Sequence, residues 1–202
     1  MISADEQESL ALAIREVESD TDGEIVLVVA HRADDYRLIP LLWALLVAFF
    51  VPWPLIWLTQ LGPATIFLAQ AVAALALSLA FSIPALRWAL IPPGVKRARA
   101  HEAAIHEFHA HGLTRTRHRS GVLIYVAEAE HYAEILVDTG IAGRVGPEAW
   151  RDIVAGLIEA IKAGNPASGL HEAITQVGAI LAVHSPARFD DTDELPNKVI
   201  VL

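Results

Sequence analysis

Asp138-Thr139-Gly140 follows three aliphatic residues in the stretch ILVDTGIAG, the pattern with which aspartic proteases present a catalytic carboxylate. That chemistry needs two such loops, so that two carboxylates can share one proton, and the chain holds a single copy. A homodimer could supply the second, but only on an all-β fold, whereas the residues after Asp138 have helical periodicity. This conflict excludes the protease. It leaves Asp138 and Gly140 at the end of a strand, where glycine gives the chain its turn.

A second candidate is HEAAIHEFHAHG, residues 101–112. A zincin helix needs His-Glu-x-x-His, which sets two imidazoles one turn apart beside a general base. Ile105 occupies the required position and His106 comes one residue late. His106 and His109 share a helical face, but Ile105 and Phe108 are expected to mark the core side and leave the histidines in solvent. The acidic run Asp190, Asp191, Asp193 and Glu194 lacks the glycine and spacing of an EF-hand loop and reads as a solvated linker, with Val199 to Leu202 free to dock on the domain or on a partner. Arg115, Arg117 and Arg119 form a basic patch suited to anionic lipid headgroups. Nucleic acid is not expected, because the net charge is -9 and no recognition motif accompanies the patch. With no cysteine there is neither a thiol nucleophile nor a thiolate metal site.

The elements that must position these residues follow from hydropathy. Charged residues make up 19% of the chain, against roughly 25% in an average soluble domain, and from Leu38 to Leu86 there are none. A bilayer pass takes about 20 apolar residues. The run therefore reads as a transmembrane hairpin, 38–94, with spans at about 38–58 and 64–86 joined by the turn residues Thr59 to Pro63. Trp43, Trp53, Trp57 and Trp88 lie where interfacial aromatics are expected. Arg32 and Arg37 precede the spans, Arg87, Lys96, Arg97 and Arg99 follow them, and the connecting turn has no basic residue. The positive-inside rule then predicts a multi-pass protein of the cell inner membrane with both termini cytoplasmic. The acidic N-terminal segment does not have the form of a cleaved signal peptide.

The flanking pieces, 1–37 and 95–186, are expected to form one soluble domain, with 187–202 an acidic tail. Ser3 to Glu6 is a capping-box pattern that opens a helix striped by Leu10, Ile14 and Val17. Residues 24–30, EIVLVVA, are apolar on both faces, as in a strand covered on both sides. Beyond the hairpin come a helix over about 96–112, strands from Gly121 and Tyr132, a helix opened by Pro147 and closed at Gly164, and a last helix from about Gly169 to His184. Strand, helix, strand predicts a parallel pair with a right-handed crossover. The two later strands predict a β-hairpin, so a small mixed sheet with helices on both faces is expected, interrupted after its first strand by the hairpin.

A helix leading into DGEIVLVVA, then RSGVLIYVA, YAEILVDTGIAG, a helix containing PEAW and a last helix opened by GLHEAI resemble the TPM domain family of thylakoid-lumen, photosystem-repair and acetylcholine-receptor-modulator proteins. The resemblance implies an α/β/α sandwich. It also implies a family in which some plant members are acid phosphatases that bind calcium and others are auxiliary subunits. Gly140 matches the second of two glycines in the family pattern, Asp138 stands in place of the first, and Ala142 in place of a nearby acid. The leading expectation is a cytoplasmic interaction or assembly module tethered to the membrane, with another membrane or peripheral protein as partner. The alternative is a metal-dependent acid phosphatase acting on phosphomonoesters. Its candidate site is Asp138, Thr139, Gly140, Asp34 and Asp35, with calcium or magnesium as the ion, since ligands in open α/β sheets favour the carboxyl ends of strands.

Overall fold

The structure is a computed structural model, and it describes residues 2–188 and 199–202. Two compact units are present: Met1–Ala33 with Arg97–Leu202, and Asp34–Lys96. In the first unit, α1 (Ala4–Glu18) begins at Ser3, whose Oγ accepts from the Glu6 amide while Glu6 Oε2 accepts from the Ser3 amide at 2.7 Å. This reciprocal cap satisfies two free backbone donors at the helix start. It also holds the Glu6 carboxyl below its ordinary pKa.

The sheet has the order β3-β2-β1-β4. β1 (Ile25–Ala30) and β2 (Val122–Ala127) are buried along their whole lengths and pair in parallel from Ile25↔Val122 to Ala30↔Ala127. β3 (Tyr132–Val137) returns antiparallel to β2. β4 (Val199–Val201) adds in parallel to the far side of β1, and the Leu202 amide donates to the Val29 carbonyl. The acidic tail therefore ends in an ordered strand on the domain, while Asp190, Asp191, Asp193 and Glu194 lie outside the described residues.

Alternation along β1 and β2 divides the core in two. Ile25, Leu27, Val29, Val122, Ile124 and Val126 pack with α1, α8 (Pro147–Lys162) and α9 (Pro166–His184). Val26, Val28, Leu123 and Tyr125 face α6 (Pro93–Ala110) through Ala100, Ala104 and Phe108. The result is the α/β/α sandwich with a small mixed sheet expected from the element order. Two local expectations change. Ile105 is 39% exposed, because the buried stripe of α6 recurs every fourth residue at Ala100, Ala104 and Phe108. The last helix starts at Pro166 rather than Gly169, proline fitting the first turn, where its missing N–H costs nothing.

The second unit holds α2 (Leu38–Phe50), α3 (Pro52–Leu58), α4 (Pro63–Phe81) and α5 (Pro84–Leu90). Val51 keeps right-handed helical angles between α2 and α3, so 38–58 remains one stretch despite Pro52 and Pro54. The stretch 64–86 is divided between α4 and α5. Proline at 84 forces Ile83 into an extended conformation, and the helix ends at Phe81. Both stretches, 21 and 19 residues, are long and apolar enough to cross a membrane. Ala44 and Ala48 are buried in this unit, while Leu42, Phe49, Trp57, Phe67, Leu75 and Leu79 are exposed. Tyr36 meets the Trp88 ring edge-on at 5.7 Å, and Lys96 Nζ lies 4.0 Å from the centre of that ring.

Two measurements test the packing of the first unit. A Cβ on Gly178 of α9 would overlap Val17 Cγ1 and lie 2.9 Å from Cγ2. Because valine is stiff, Gly178→Ala is expected to lower unfolding stability by about 1–3 kcal/mol in chemical denaturation, with partial recovery when combined with Val17→Ala. Burial, with the carboxylates of Glu130 and Glu107, raises the Tyr125 phenol to about 12. Folding therefore favours the neutral phenol: its contribution is complete below the ordinary value of about 10 and is lost as pH rises towards 12. Thermal melts across pH 10–12 are expected to fall less steeply for Tyr125→Phe than for the parent.

Candidate functional site

Because β3 runs against β1 and β2, its carboxyl end lies beside their amino ends. The Asp138 amide donates to Gly121 O at 2.9 Å, and the Val122 amide donates to Glu24 O at 2.8 Å. Strand direction thus gathers Asp22 to Glu24, His118 to Gly121 and Asp138 to Gly140 at one end of the sheet.

Asp138 is 4% exposed and caps the short α7 (Thr139–Ala142). Its Oδ1 accepts from the Thr139 amide at 2.7 Å and from Thr139 Oγ1 at 3.3 Å. Its Oδ2 lies 3.5 Å from a guanidinium nitrogen of Arg119. The following amides are also engaged: Gly140 donates to Arg119 O, and Ile141 and Ala142 donate to Asp138 O. A side chain at 140 would collide with the carbonyl oxygens of His118 and Arg119, so glycine is required by close backbone approach.

A second buried carboxylate, Asp22, lies at the same end of the sheet. Its Oδ2 takes Arg188 Nε at 2.8 Å and its Oδ1 takes the Arg188 amide at 3.0 Å. His118 Nε2 is 4.0 Å from Asp22 Oδ2 and 3.3 Å from Arg188. Ser120 Oγ donates to Asp22 O at 2.7 Å, and Thr21 Oγ1 donates to Ser185 O at 2.5 Å. In sequence, Asp20 to Gly23 reads only as the end of a helix; nothing local foretells that Asp22 binds an arginine from the far end of the chain.

Asp34 and Asp35 do not join this cluster within the first unit. They follow β1, whose carboxyl end is the opposite end of the sheet, beside the Glu128 to His131 turn, and they belong to the second unit. There Asp34 Oδ1 accepts from the Tyr36 amide at 3.1 Å, and Asp35 pairs with Arg37 at 2.9 Å. The histidines of residues 101–111 are partly committed: His101 Nδ1 lies 2.9 Å from Glu134, and His111 Nε2, just past α6, lies 3.0 Å from Glu107. Glu134 also accepts from the Tyr132 hydroxyl, and burial together with this bond raises the pKa of that phenol. Among the described residues, no three His, Cys, Asp or Glu side chains are grouped so as to hold a metal ion. Of the expected interfacial residues, Arg37, Trp43, Trp53, Trp57, Arg87, Trp88 and Lys96 lie in the second unit, and Arg97 and Arg99 open the return into the first.

The cluster at Asp22 and Asp138 closes two loops and anchors the start of the C-terminal segment. Its carboxylates face arginines whose side chains are 54% and 56% exposed. A groove of about 470 Å³ runs between β3 and α8, lined by Ala133, Ile135, Trp150, Val154 and Ile158 together with Glu134 and Arg151.

Residues 89–180 match the family model described as the TPM domain. That match takes in α6, β2, β3, α7, α8 and most of α9. None of the curated proteins matches the sequence. Among solved structures, the NMR structure of BA42 protein from the psychrophilic bacterium Bizionia argentinensis is similar, with a TM-score of 0.62 and 22% identity over 100% of this chain and 96% of that one. At that identity the likeness concerns fold, and it extends over α1 and β1, which the family match leaves out. Over residues 89–180, a little under half of its length, the chain thus matches the TPM domain.

Proposed function

We propose that this protein is anchored in a membrane by the 38–58 and 63–81 helices and that its TPM domain serves as an interaction or assembly module for another membrane or peripheral protein. One observation carries the reading: only 17% of the first apolar window and none of the second is buried, so these surfaces are exposed as they would be to lipid. The core helix of a soluble protein passes the same test of length and composition, but it does so mostly buried. The basic residues Arg37, Arg87, Lys96, Arg97 and Arg99 flank the helices, and none lies in the connecting turn. This favours an inner-membrane, multi-pass arrangement with both termini cytoplasmic and basic contacts to anionic headgroups.

The binding role is supported by the state of the buried carboxylates. Asp22 and Asp138 are held by Arg188 and Arg119, and the amides after Asp138 are bonded within the protein. An acid phosphatase would use Asp138 as a ligand or catalytic group, with calcium or magnesium held by carboxylates and anion-binding donors facing the phosphate. In this loop the amide donors are already used.

Two measurements test these statements. In membranes from expressing cells, the protein is expected to stay with the pellet after alkaline carbonate and to need detergent for release. Recovery in the carbonate supernatant would refute the anchor. The purified protein is expected to hydrolyse a generic phosphomonoester no faster than background, with or without calcium or magnesium. Asp138→Asn should leave that rate unchanged while costing about 1–3 kcal/mol of stability, because Arg119 loses its buried charge partner. Metal-dependent turnover abolished by Asp138→Asn would favour the phosphatase instead.

A further inference from the structure

We propose that the groove between β3 and α8 takes an extended segment of another protein, which adds to the sheet as a strand beside β3 and carries alternate apolar residues and a carboxylate for Arg151. This names a surface for the interaction role proposed above and rests on that reading. Among the described residues β3 is an outer strand of the sheet. In an antiparallel ladder, alternate residues turn their backbone groups to the neighbouring strand. The Asp138 amide donates to Gly121 O, so in register with β2 that set is Asp138, Leu136, Glu134 and Tyr132. The amides and carbonyls of Val137, Ile135 and Ala133 therefore point to the open edge.

Such edges are commonly blunted by proline, by lysine, by a bulge or by shortness. β3 keeps six residues in unbroken register with β2 and contains neither proline nor lysine. Its one charged residue, Glu134, is turned to the α6 face, where its carboxylate meets His101 and the Tyr132 hydroxyl. On the other face, Ala133 and Ile135 join Val154 and Ile158 of α8 to make the groove apolar. Trp150 forms part of the same wall and is 7% exposed, and among the described residues its indole N–H has no hydrogen-bond partner. A buried donor in that state costs free energy until an acceptor reaches it. An added strand brings backbone carbonyls to this wall, main-chain bonds to the edge and alternate side chains to the apolar floor.

Charge selects the occupant. With Glu134 held on the opposite face, the charge left in the groove is that of Arg151, whose side chain is 72% exposed. Its pairing with Glu148 at 3.5 Å is a surface contact, which stabilises little. Arg151 thus favours a carboxylate on the incoming segment. A second copy of β3 laid antiparallel on this edge would present Ala133, Ile135 and Val137 on the α8 face, and no carboxylate.

The probe is a displayed library of random peptides about ten residues long, screened on the full-length protein in detergent. Retained peptides are expected to alternate apolar residues and to carry Asp or Glu. For a synthetic copy of the commonest, methylation of alternate amides should abolish binding in one register and spare it in the other, because an added strand turns only every second amide to the edge. Ile135→Pro removes an N–H that the β2 ladder does not use and should weaken binding about tenfold. Arg151→Glu should melt with the parent and weaken binding about threefold, and a peptide with Lys in place of its acid should bind that variant better than the parent. Peptides that bind both variants as tightly as the parent, or that tolerate methylation in both registers, would overturn the groove and leave the interaction role to another surface. An empty screen would overturn the groove too. A dimer in detergent that Ile135→Pro dissociates would assign the edge to a second copy and overturn the foreign segment. Metal-dependent phosphomonoester turnover abolished by Asp138→Asn would instead overturn the interaction role itself.

Discussion

The fold depends on the pairing of β1 with β2. β1 is six residues of aliphatic side chains buried on both faces, so it can exist only as an inner strand with a helical layer above and below it. Neither its strand neighbours nor the helix across its α6 face lie before it in the chain. β2, β4, α6, α8 and α9 all come after the apolar insertion. The insertion is tolerated because the entropy of closing a connection grows only slowly with its length, whereas six parallel pairs and two core layers reward the closure together.

The polar end of the sheet follows from that pairing. Once β1 and β2 lie in parallel and β3 returns, Asp22 and Asp138 are carried to one edge and buried, and burial requires that their charges be answered. Arg188 answers one and Arg119 the other. Arg119 does so from a left-handed backbone conformation, φ 55, that turns the chain into β2. Gly140 permits the close approach that places the Arg119 carbonyl on its amide. The edge is a clasp uniting the end of α1, the entry to β2, the exit of β3 and the start of the C-terminal segment.

The apolar unit has a different logic. Its interior is marked by small residues such as Ala44 and Ala48, and its large side chains point outward. A water-soluble helical pair would reverse this arrangement, because the hydrophobic effect buries bulk. In the membrane arrangement proposed above, lipid would remove that preference.

Much of this was legible in the sequence because it is local. Periodicity and caps located α1, β1, β2, β3 and α8, Pro147 and Gly164 marked the bounds of α8, and the motif matches pointed to the TPM family. The uncharged run announced two long apolar helices, since length and composition are additive along the chain. Tertiary structure decided what depends on distant partners. The direction of β3 separates Asp138 from the end of β1 that leads to Asp34 and Asp35, the recruitment of Arg188 makes Asp22 a buried ion-pair partner, and the last three residues of strand character find their place only beside β1. A three-residue strand and a lone aspartate carry no periodicity, so their roles are set by the groups that folding brings to them.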